Sequence, residues 1–351
     1  MKYPAVLSFE TLLPTLDDFD TIIDARSESE FALDHIPGAI NCPVLHDDER
    51  ILVGTTYKQV GSFEAKRLGA PLVAKNIAHA IETRFADKPR DWKPLVYCWR
   101  GGNRSGSMAL IFAKIGWPVV QLDGGYKAFR GYVNTALENP PALDLRVICG
   151  TTGSGKSRLL ETLDGIGAQV LDLEKLAAHR GSVLGHLPGE PQPSQKAFET
   201  QIWDLLRRFD PARPVFVESE SKKVGNLRVP DKVMERMRAA PCIALQLSRP
   251  NRVRLLMEEY EHFAADPAAL NAQLTHLVQL HGHAKINAWH EMASGGRMPE
   301  LVDQLLVEHY DPAYLRSIDR NFARYPQAEA LELPDIGRDD FLAAARKLHA
   351  G

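Results

Sequence analysis

Short apolar runs, each followed by an amphipathic stretch, alternate along the first 135 residues. Residues 21–25 (TIIDA) and 94–98 (PLVYC) read as buried strands, and residues 118–123 (PVVQLD) as a third. Between the last two, residues 105–115 are apolar at helical spacing and are closed by Gly116, which predicts a helix. Strand, helix, strand in that order predicts a parallel sheet with right-handed crossovers. Glu138-Asn139-Pro140-Pro141-Ala142 breaks the pattern. A second α/β series then begins at residues 145–149 (LRVIC), with later strands expected at 168–173, 214–218 and 242–247. Residues 181–193 are rich in glycine and proline and read as a mobile loop, and beyond Asn251 the pattern is mainly helical. The expected domains are 1–137, a linker at 138–144, and 145–351.

At 351 residues, 44% hydrophobic and 25% charged, the chain has the size and composition of a two-domain globular protein. No apolar run approaches the roughly 18–20 residues that span a bilayer, and the first residues lack a signal-peptide pattern. The four cysteines, Cys42, Cys98, Cys149 and Cys242, form no CxxC pair, so neither a disulfide framework nor a cysteine zinc site is expected. A reducing cytoplasm fits best. Net charge is only −3, but residues 222–254 carry nine Lys/Arg against two acids. Lys222, Lys223, Arg228, Arg249, Arg252 and Arg254 in this stretch are candidates to follow a phosphate backbone, or else lie on solvated helix faces balanced by acids elsewhere.

Two loops carry chemistry. Cys98-Trp99-Arg100-Gly101-Gly102-Asn103-Arg104-Ser105 lies between a strand end and a helix start, where backbone N–H groups converge and favour negative charge. Arg100 and Arg104 add fixed positive charge, so Cys98 is the expected nucleophile, with Arg100, Gly101, Gly102, Asn103, Arg104 and Ser105 forming an anion loop. Together with Asp24-Ala25-Arg26, His35-Ile36-Pro37-Gly38-Ala39-Ile40-Asn41 and Leu122-Asp123-Gly124-Gly125-Tyr126, this loop resembles a rhodanese (sulfurtransferase) domain. Arg104 lies six residues after Cys98, one more than in common sulfurtransferase loops. Six is the spacing of the Cys-x5-Arg loops of cysteine phosphatases, so the loop should admit a group larger than a persulfide.

The second loop, Gly150-Thr151-Thr152-Gly153-Ser154-Gly155-Lys156-Ser157, has the Walker A spacing after a strand and before a helix. Gly150, Gly153, Ser154, Gly155, Lys156 and Ser157 are the expected diphosphate- or triphosphate-binding set, with Ser157 able to hold Mg²⁺. Asp172 and Glu218, each at or beside a strand end, are candidates for the acid that helps hold the metal. His276, His283 and His290 recur every seven residues, with His281 nearby. Seven residues of helix rise about 10.5 Å, too far to share a metal ion whose bonds are about 2 Å. They are expected to line one face, and no metal site is assigned to them.

A rhodanese-like domain followed by a phosphate-loop domain, with Cys98-Trp99-Arg100-Gly101-Gly102 in the first, resembles the tRNA 2-selenouridine synthases. Residues 173–182, 194–199, 217–225 and 309–314 extend the likeness over essentially the whole chain. The resemblance implies replacement of sulfur by selenium in wobble-position 2-thiouridine of tRNA. It further implies two stages, in which the thio group is first S-geranylated from geranyl diphosphate and selenium from selenophosphate then displaces the S-geranyl group. It implies two co-substrates and no tightly bound cofactor, a tRNA partner, no membrane partner and, as the working expectation, a monomer. On this reading Cys98 carries selenium as a selenylsulfide, and the phosphate loop takes the prenyl diphosphate. A sulfurtransferase or cysteine phosphatase fused to an NTP-dependent kinase-like domain is the alternative.

Overall fold

The computed structural model describes residues 3–181, 189–261 and 266–350. Its contacts divide the chain into two units, Met1–Leu137 with Ser194–Asp204, and Glu138–Pro193 with Leu205–Gly351.

The first unit holds an all-parallel sheet of β1 (Ala5–Leu7), β2 (Thr21–Asp24), β3 (Ala39–Asn41), β4 (Pro94–Tyr97) and β5 (Val120–Leu122), in the order β1-β5-β4-β2-β3. Because β4 is central, Leu95, Val96 and Tyr97 are all fully buried, which is why the sequence there is continuously apolar rather than alternating. The helix Asn103–Ile115 packs Met108 and Phe112 into a core with Ile23, Val96, Trp92 and Trp117. It ends at Gly116, whose φ of +116° suits glycine alone.

The stretch Ser194–Asp204, which the sequence reading assigns wholly to the second domain, packs with this unit. The reason is side-chain chemistry. Trp203 meets Phe9 and Phe129 at ring-centroid distances of 5.9 and 5.6 Å. Thr200 donates to Asp34 Oδ2 at 3.1 Å, and Arg130 pairs with Glu199.

The second unit has its own all-parallel sheet of β6 (Asp144–Cys149), β7 (Gln169–Leu171), β8 (Pro214–Glu218), β11 (Cys242–Leu247) and β12 (Glu329–Leu333), ordered β12-β11-β6-β8-β7. A small antiparallel ribbon joins β9 (Lys223–Val224) to β10 (Leu227–Arg228). The region beyond Asn251 is mainly helical, as expected, but it also supplies strand β12, which the sequence pattern does not show. This strand pairs with β11 from Ile243↔Glu329 to Leu247↔Leu333 and buries Leu331 and Leu333. Two glutamates in five residues disguise this edge strand, whose exposed positions need not be apolar.

The histidine-bearing segment is also broken rather than straight. Helices Pro267–Thr275, Val278–His281 and His283–Ser294 leave His276 outside any helix and start a new one at His283. The seven-residue spacing therefore does not place these histidines on one helical face. The glycine- and proline-rich loop expected at 181–193 falls largely outside the described residues.

Candidate active sites

The cysteine loop rises from the end of β4. Gly101 and Gly102 both have φ of +68°, which turns the chain sharply enough for Asn103 to open the helix. A Cβ on Gly102 would lie 2.5 Å from Gln121 Nε2, so the loop is closed tightly around that side chain. Cys98 is buried, and the Ser105 hydroxyl donates to its sulfur at 3.3 Å. Gln121 Nε2 in turn donates to Ser105 Oγ at 3.2 Å and to the Gly102 carbonyl at 3.1 Å.

Arg104 is held by Glu30, with Nη1 donating to Oε2 at 2.8 Å. Burial alone would raise the Glu30 carboxyl, but the hydrogen bonds and charge of Arg104, helped by Arg50, hold it below the usual range. Arg100 is exposed, and Trp99 stacks on Tyr126 at 5.4 Å. Behind the loop, Arg26 forms a buried ion pair with Asp24 at 2.6 Å and lies 4.0 Å over the Tyr126 ring. Tyr126 N–H donates to the Cys98 carbonyl at 2.7 Å, so the DAR and GGY segments brace the cysteine from below.

The phosphate loop follows β6 and opens the helix Lys156–Gly165. Gly153 and Gly155 have φ of +74° and +87°. Packing reinforces this requirement, because a Cβ at 153 would sit 2.8 Å from Leu256 Cγ and one at 155 would sit 2.6 Å from Phe341 Cζ. Lys156 Nζ donates to the Gly150 carbonyl at 2.7 Å and lies 5.5 Å from the Tyr314 ring. Ser157 Oγ donates to Glu174 Oε2 at 3.0 Å.

Around this loop four acids gather, Asp172, Glu174, Glu218 and Glu220. Burial and the neighbouring carboxylates push Asp172 up to about 6 and Glu220 to about 8, and raise Glu218 well above its ordinary value. Glu218 Oε1 accepts the Glu174 N–H at 2.9 Å, while its buried Oε2 has no partner. A serine hydroxyl beside crowded carboxylates, one with an orphaned oxygen, is a hard-oxygen donor set that fits Mg²⁺. Ser157, Glu174 and Glu218 would hold it, and its chemistry there would be charge neutralisation of a bound diphosphate.

The cleft lined by Lys156, Ser157, Glu174, Glu220, His309 and Tyr314 abuts a second, almost wholly apolar hollow. Leu270, Met298, Leu301, Val302, Leu305 and Leu306 form the hollow's far wall. Thr152, Leu256, Tyr260 and Tyr310 line both spaces. Nothing in the loop motif signals this hollow, because its far wall comes from helices more than a hundred positions downstream. The supporting residues Glu30, Glu174, Glu220 and Asp311 are likewise acids that no local spacing singles out.

The two loop geometries agree with what related sequences show. Residues 8–132 match the rhodanese-like domain model, and residues 143–276 match the model of the tRNA 2-selenouridine synthase AAA domain. A tRNA 2-selenouridine synthase of Sulfurovum sp. is 31% identical over 348 residues, which cover 89% of this chain and 94% of that protein. The chain belongs to the tRNA 2-selenouridine synthase family. The synthase of Aeromonas salmonicida is 32% identical, covering 86% and 87% of the two chains. That of Nitrosomonas europaea is 36% identical over a region that spans 68% of this chain and 63% of its relative. Membership places the chain among tRNA-modifying transferases.

For a tRNA 2-selenouridine synthase the basic stretch matters, and here one expectation is corrected. Arg252 is only 6% exposed, so it is no tRNA contact. It donates through Nε to the Thr152 carbonyl at 2.9 Å and through Nη1 to Asp311 at 3.0 Å, tying the phosphate loop to a later helix. Lys222, Arg249 and Arg254 are exposed but pair with Asp231, Asp303 and Asp335 at 2.8, 3.0 and 2.8 Å. Lys223 and Arg228 are exposed on the β9–β10 ribbon. Asp303, Asp311 and Asp335, all outside the stretch, thus offset three of its positive charges. No described helix is long and apolar enough to cross a membrane.

Proposed function

We propose that this chain converts 2-thiouridine at the tRNA wobble position to 2-selenouridine through an S-geranyl intermediate. Geranyl diphosphate binds in the second unit and selenophosphate at the Cys98 loop. The observation that carries the prenyl half is the apolar hollow sharing Thr152, Leu256, Tyr260 and Tyr310 with the phosphate-loop cleft. A diphosphate on Gly150–Ser157 would thereby have an oily space beside it, suited to a hydrocarbon tail rather than to a polar nucleoside.

In the first stage the 2-thio sulfur attacks C1 of the prenyl group. The C1–O bond breaks, its electron pair leaves on the diphosphate, and the N3 proton passes to solvent. Lys156 and the loop N–H groups stabilise the charge that grows on the departing oxygen. Alkylation turns a thiocarbonyl sulfur into a thioether, so that in the second stage selenium adds at C2 and the geranyl thiolate leaves.

Exposed Lys222, Lys223, Arg228, Arg249 and Arg254 are the candidates to track the tRNA backbone. Surface ion pairs are worth roughly 0–1 kcal/mol, so phosphate can displace the acids that three of them hold. Cytoplasmic location and monomeric action complete the reading, with selenophosphate and geranyl diphosphate as exchanging co-substrates.

The test is mass spectrometry of nucleosides from 2-thiouridine-containing tRNA incubated with protein, geranyl diphosphate and selenophosphate, omitting each donor in turn. The expected result is selenouridine only with both donors and S-geranyl-2-thiouridine without selenophosphate. Unchanged tRNA with folded protein, or NTP hydrolysis in its place, would overturn the reading.

A further inference from the structure

The role of Cys98 is constrained by electron counting. In selenophosphate, selenium is already at the selenide level, bonded to phosphorus(V). Lodging it on the Cys98 sulfur as a selenylsulfide would require the removal of two electrons, and neither donor accepts them.

We propose that Cys98 instead attacks phosphorus. Its sulfur forms an S–P bond while the P–Se bond breaks, and the electron pair departs on selenium as selenide. No oxidation state changes. Water then adds to phosphorus, the S–P bond breaks to return the Cys98 thiolate, and phosphate leaves with the proton released to solvent. The selenide adds at C2 and expels geranyl thiolate, so the sum is S-geranyl-thiouridine, selenophosphate and water going to selenouridine, geranyl thiol and phosphate. The proposal rests on selenophosphate being the donor.

Three features of the loop fit this chemistry better than selenium carriage. Arg104 stands six residues after Cys98, and two left-handed glycines, Gly101 and Gly102, turn the chain between them. Such a loop has backbone donors enough to encircle a tetrahedral phosphoryl group. The Arg104 guanidinium is fixed by the Glu30 carboxylate at 2.8 Å, a planar cation held ready for phosphoryl oxygens rather than for one selenium atom. Most telling is Ser105. It is fully buried, is steadied by Gln121, and donates its hydroxyl to the Cys98 sulfur at 3.3 Å. A hydroxyl aimed at sulfur stabilises a thiolate, and the step in which sulfur becomes a thiolate leaving group is the breakdown of a phosphocysteine. Selenium that leaves with the proton it carries in selenophosphate, as hydrogenselenide, is weakly basic and needs no further acid at its side, so the leaving group that the site assists is the cysteine itself.

The test uses the full chain with ³²P-labelled selenophosphate, with and without S-geranylated tRNA, quenched in acid and followed by peptide mapping. The phosphorus label is essential, because phosphoryl and selenium adducts have nearly equal masses. Wild type should carry ³²P on the Cys98 peptide. Ser105→Ala should raise that label several-fold by slowing its hydrolysis about ten-fold or more, and Cys98→Ser should show no turnover of the label. Selenium retained on Cys98 without phosphorus, or no ³²P on that peptide in either arm of wild type and Ser105→Ala, overturns the inference. Failure of the wider reading looks different, since there the tRNA stays unchanged while Cys98 is phosphorylated. Selenouridine formed without phosphorus ever reaching Cys98 sinks this inference alone.

Discussion

The hydroxyl of Tyr314 accepts the backbone N–H of Gly150 at 2.7 Å, joining the first glycine of the phosphate loop to a helix 164 residues away. The same oxygen lies 2.9 Å from Ser219 Oγ, at the end of β8. Tyr314→Phe removes the shared partner and leaves a buried N–H unpaired, a cost of about 1–3 kcal/mol. We expect a lower unfolding midpoint for the second unit and weaker binding of inorganic pyrophosphate, measured by calorimetry. Unchanged stability and binding would show that the contact is incidental.

Val302 is half-buried on the wall of the apolar hollow. Val302→Trp should fill that space without touching the phosphate loop. Geranyl diphosphate affinity should fall about ten-fold or more, the scale of a mismatched hydrophobic pocket, while pyrophosphate affinity stays within about two-fold. Equal loss of both ligands would point to a folding defect, and no loss of either would remove the hollow from the site.

Arg252 invites a test that separates structure from tRNA contact. Arg252→Met leaves Asp311 and the Thr152 carbonyl without their cation, and breaking this part-buried pair should cost somewhat less than the roughly 3–5 kcal/mol of a fully buried one. The expected outcome is a strongly destabilised second unit by chemical denaturation. By contrast, Arg249→Ala and Arg254→Ala should leave stability nearly unchanged and weaken tRNA binding in a salt-dependent way. Reversal of these two patterns would restore Arg252 to the RNA surface.

Local periodicity and loop spacing made much of this molecule readable. The strands at 21–24, 94–97, 144–149, 214–218 and 242–247 are mostly apolar because both faces of the sheet are largely covered, and both loops announce themselves by glycine spacing. What stayed hidden was carried by long-range contacts. Glu30 holds Arg104 from 74 positions away, and Asp311 holds Arg252 from 59. Strand β12 escaped because an edge strand need bury only two side chains. The basic stretch looked more one-sided than it is because charge was counted along the chain, whereas Asp303, Asp311 and Asp335 meet it in space.

Gly125, in the GGY segment, has φ of +57°, and a Cβ there would lie 2.3 Å from the Cys98 carbonyl oxygen. Gly125→Ala must therefore push the cysteine loop aside as well as strain its own backbone. Overpacking of this kind costs about 1–3 kcal/mol. Differential scanning calorimetry should show a lower transition for the first unit, and selenation should fall while S-geranylation persists. An unshifted transition would contradict the close packing.

Burial, and then the neighbouring His281, hold the His309 imidazole below its ordinary range, with His281 Nε2 at 3.0 Å from His309 Nδ1. The group's folded value is depressed, so its contribution is intact above the unfolded value of about 6.5. Below that, the unfolded chain binds a proton that the folded chain resists, and stability is lost as pH falls. Asp172, Glu218 and Glu220, whose carboxyls are raised, act in the opposite sense over this range, so the effect is read as a difference: relative to His309→Gln, the wild-type second unit should lose stability between pH 7.5 and pH 5.5. A difference between wild type and His309→Gln that stays constant across this range would exclude the effect.

Phe341 lies against Gly155, the Arg158 side chain caps the Ile336 carbonyl at 3.2 Å, and β12 closes the edge of the sheet beside β11. The phosphate loop is therefore propped by residues that are synthesised long after it. During synthesis the cysteine unit can largely settle on its own strands, while Gly150–Ser157 must wait, strand and helix unsupported, for residues 329–350 to arrive. A nascent chain stalled short of them would present a half-built anion site with open sheet edge, a species for chaperones to hold rather than an enzyme at partial strength.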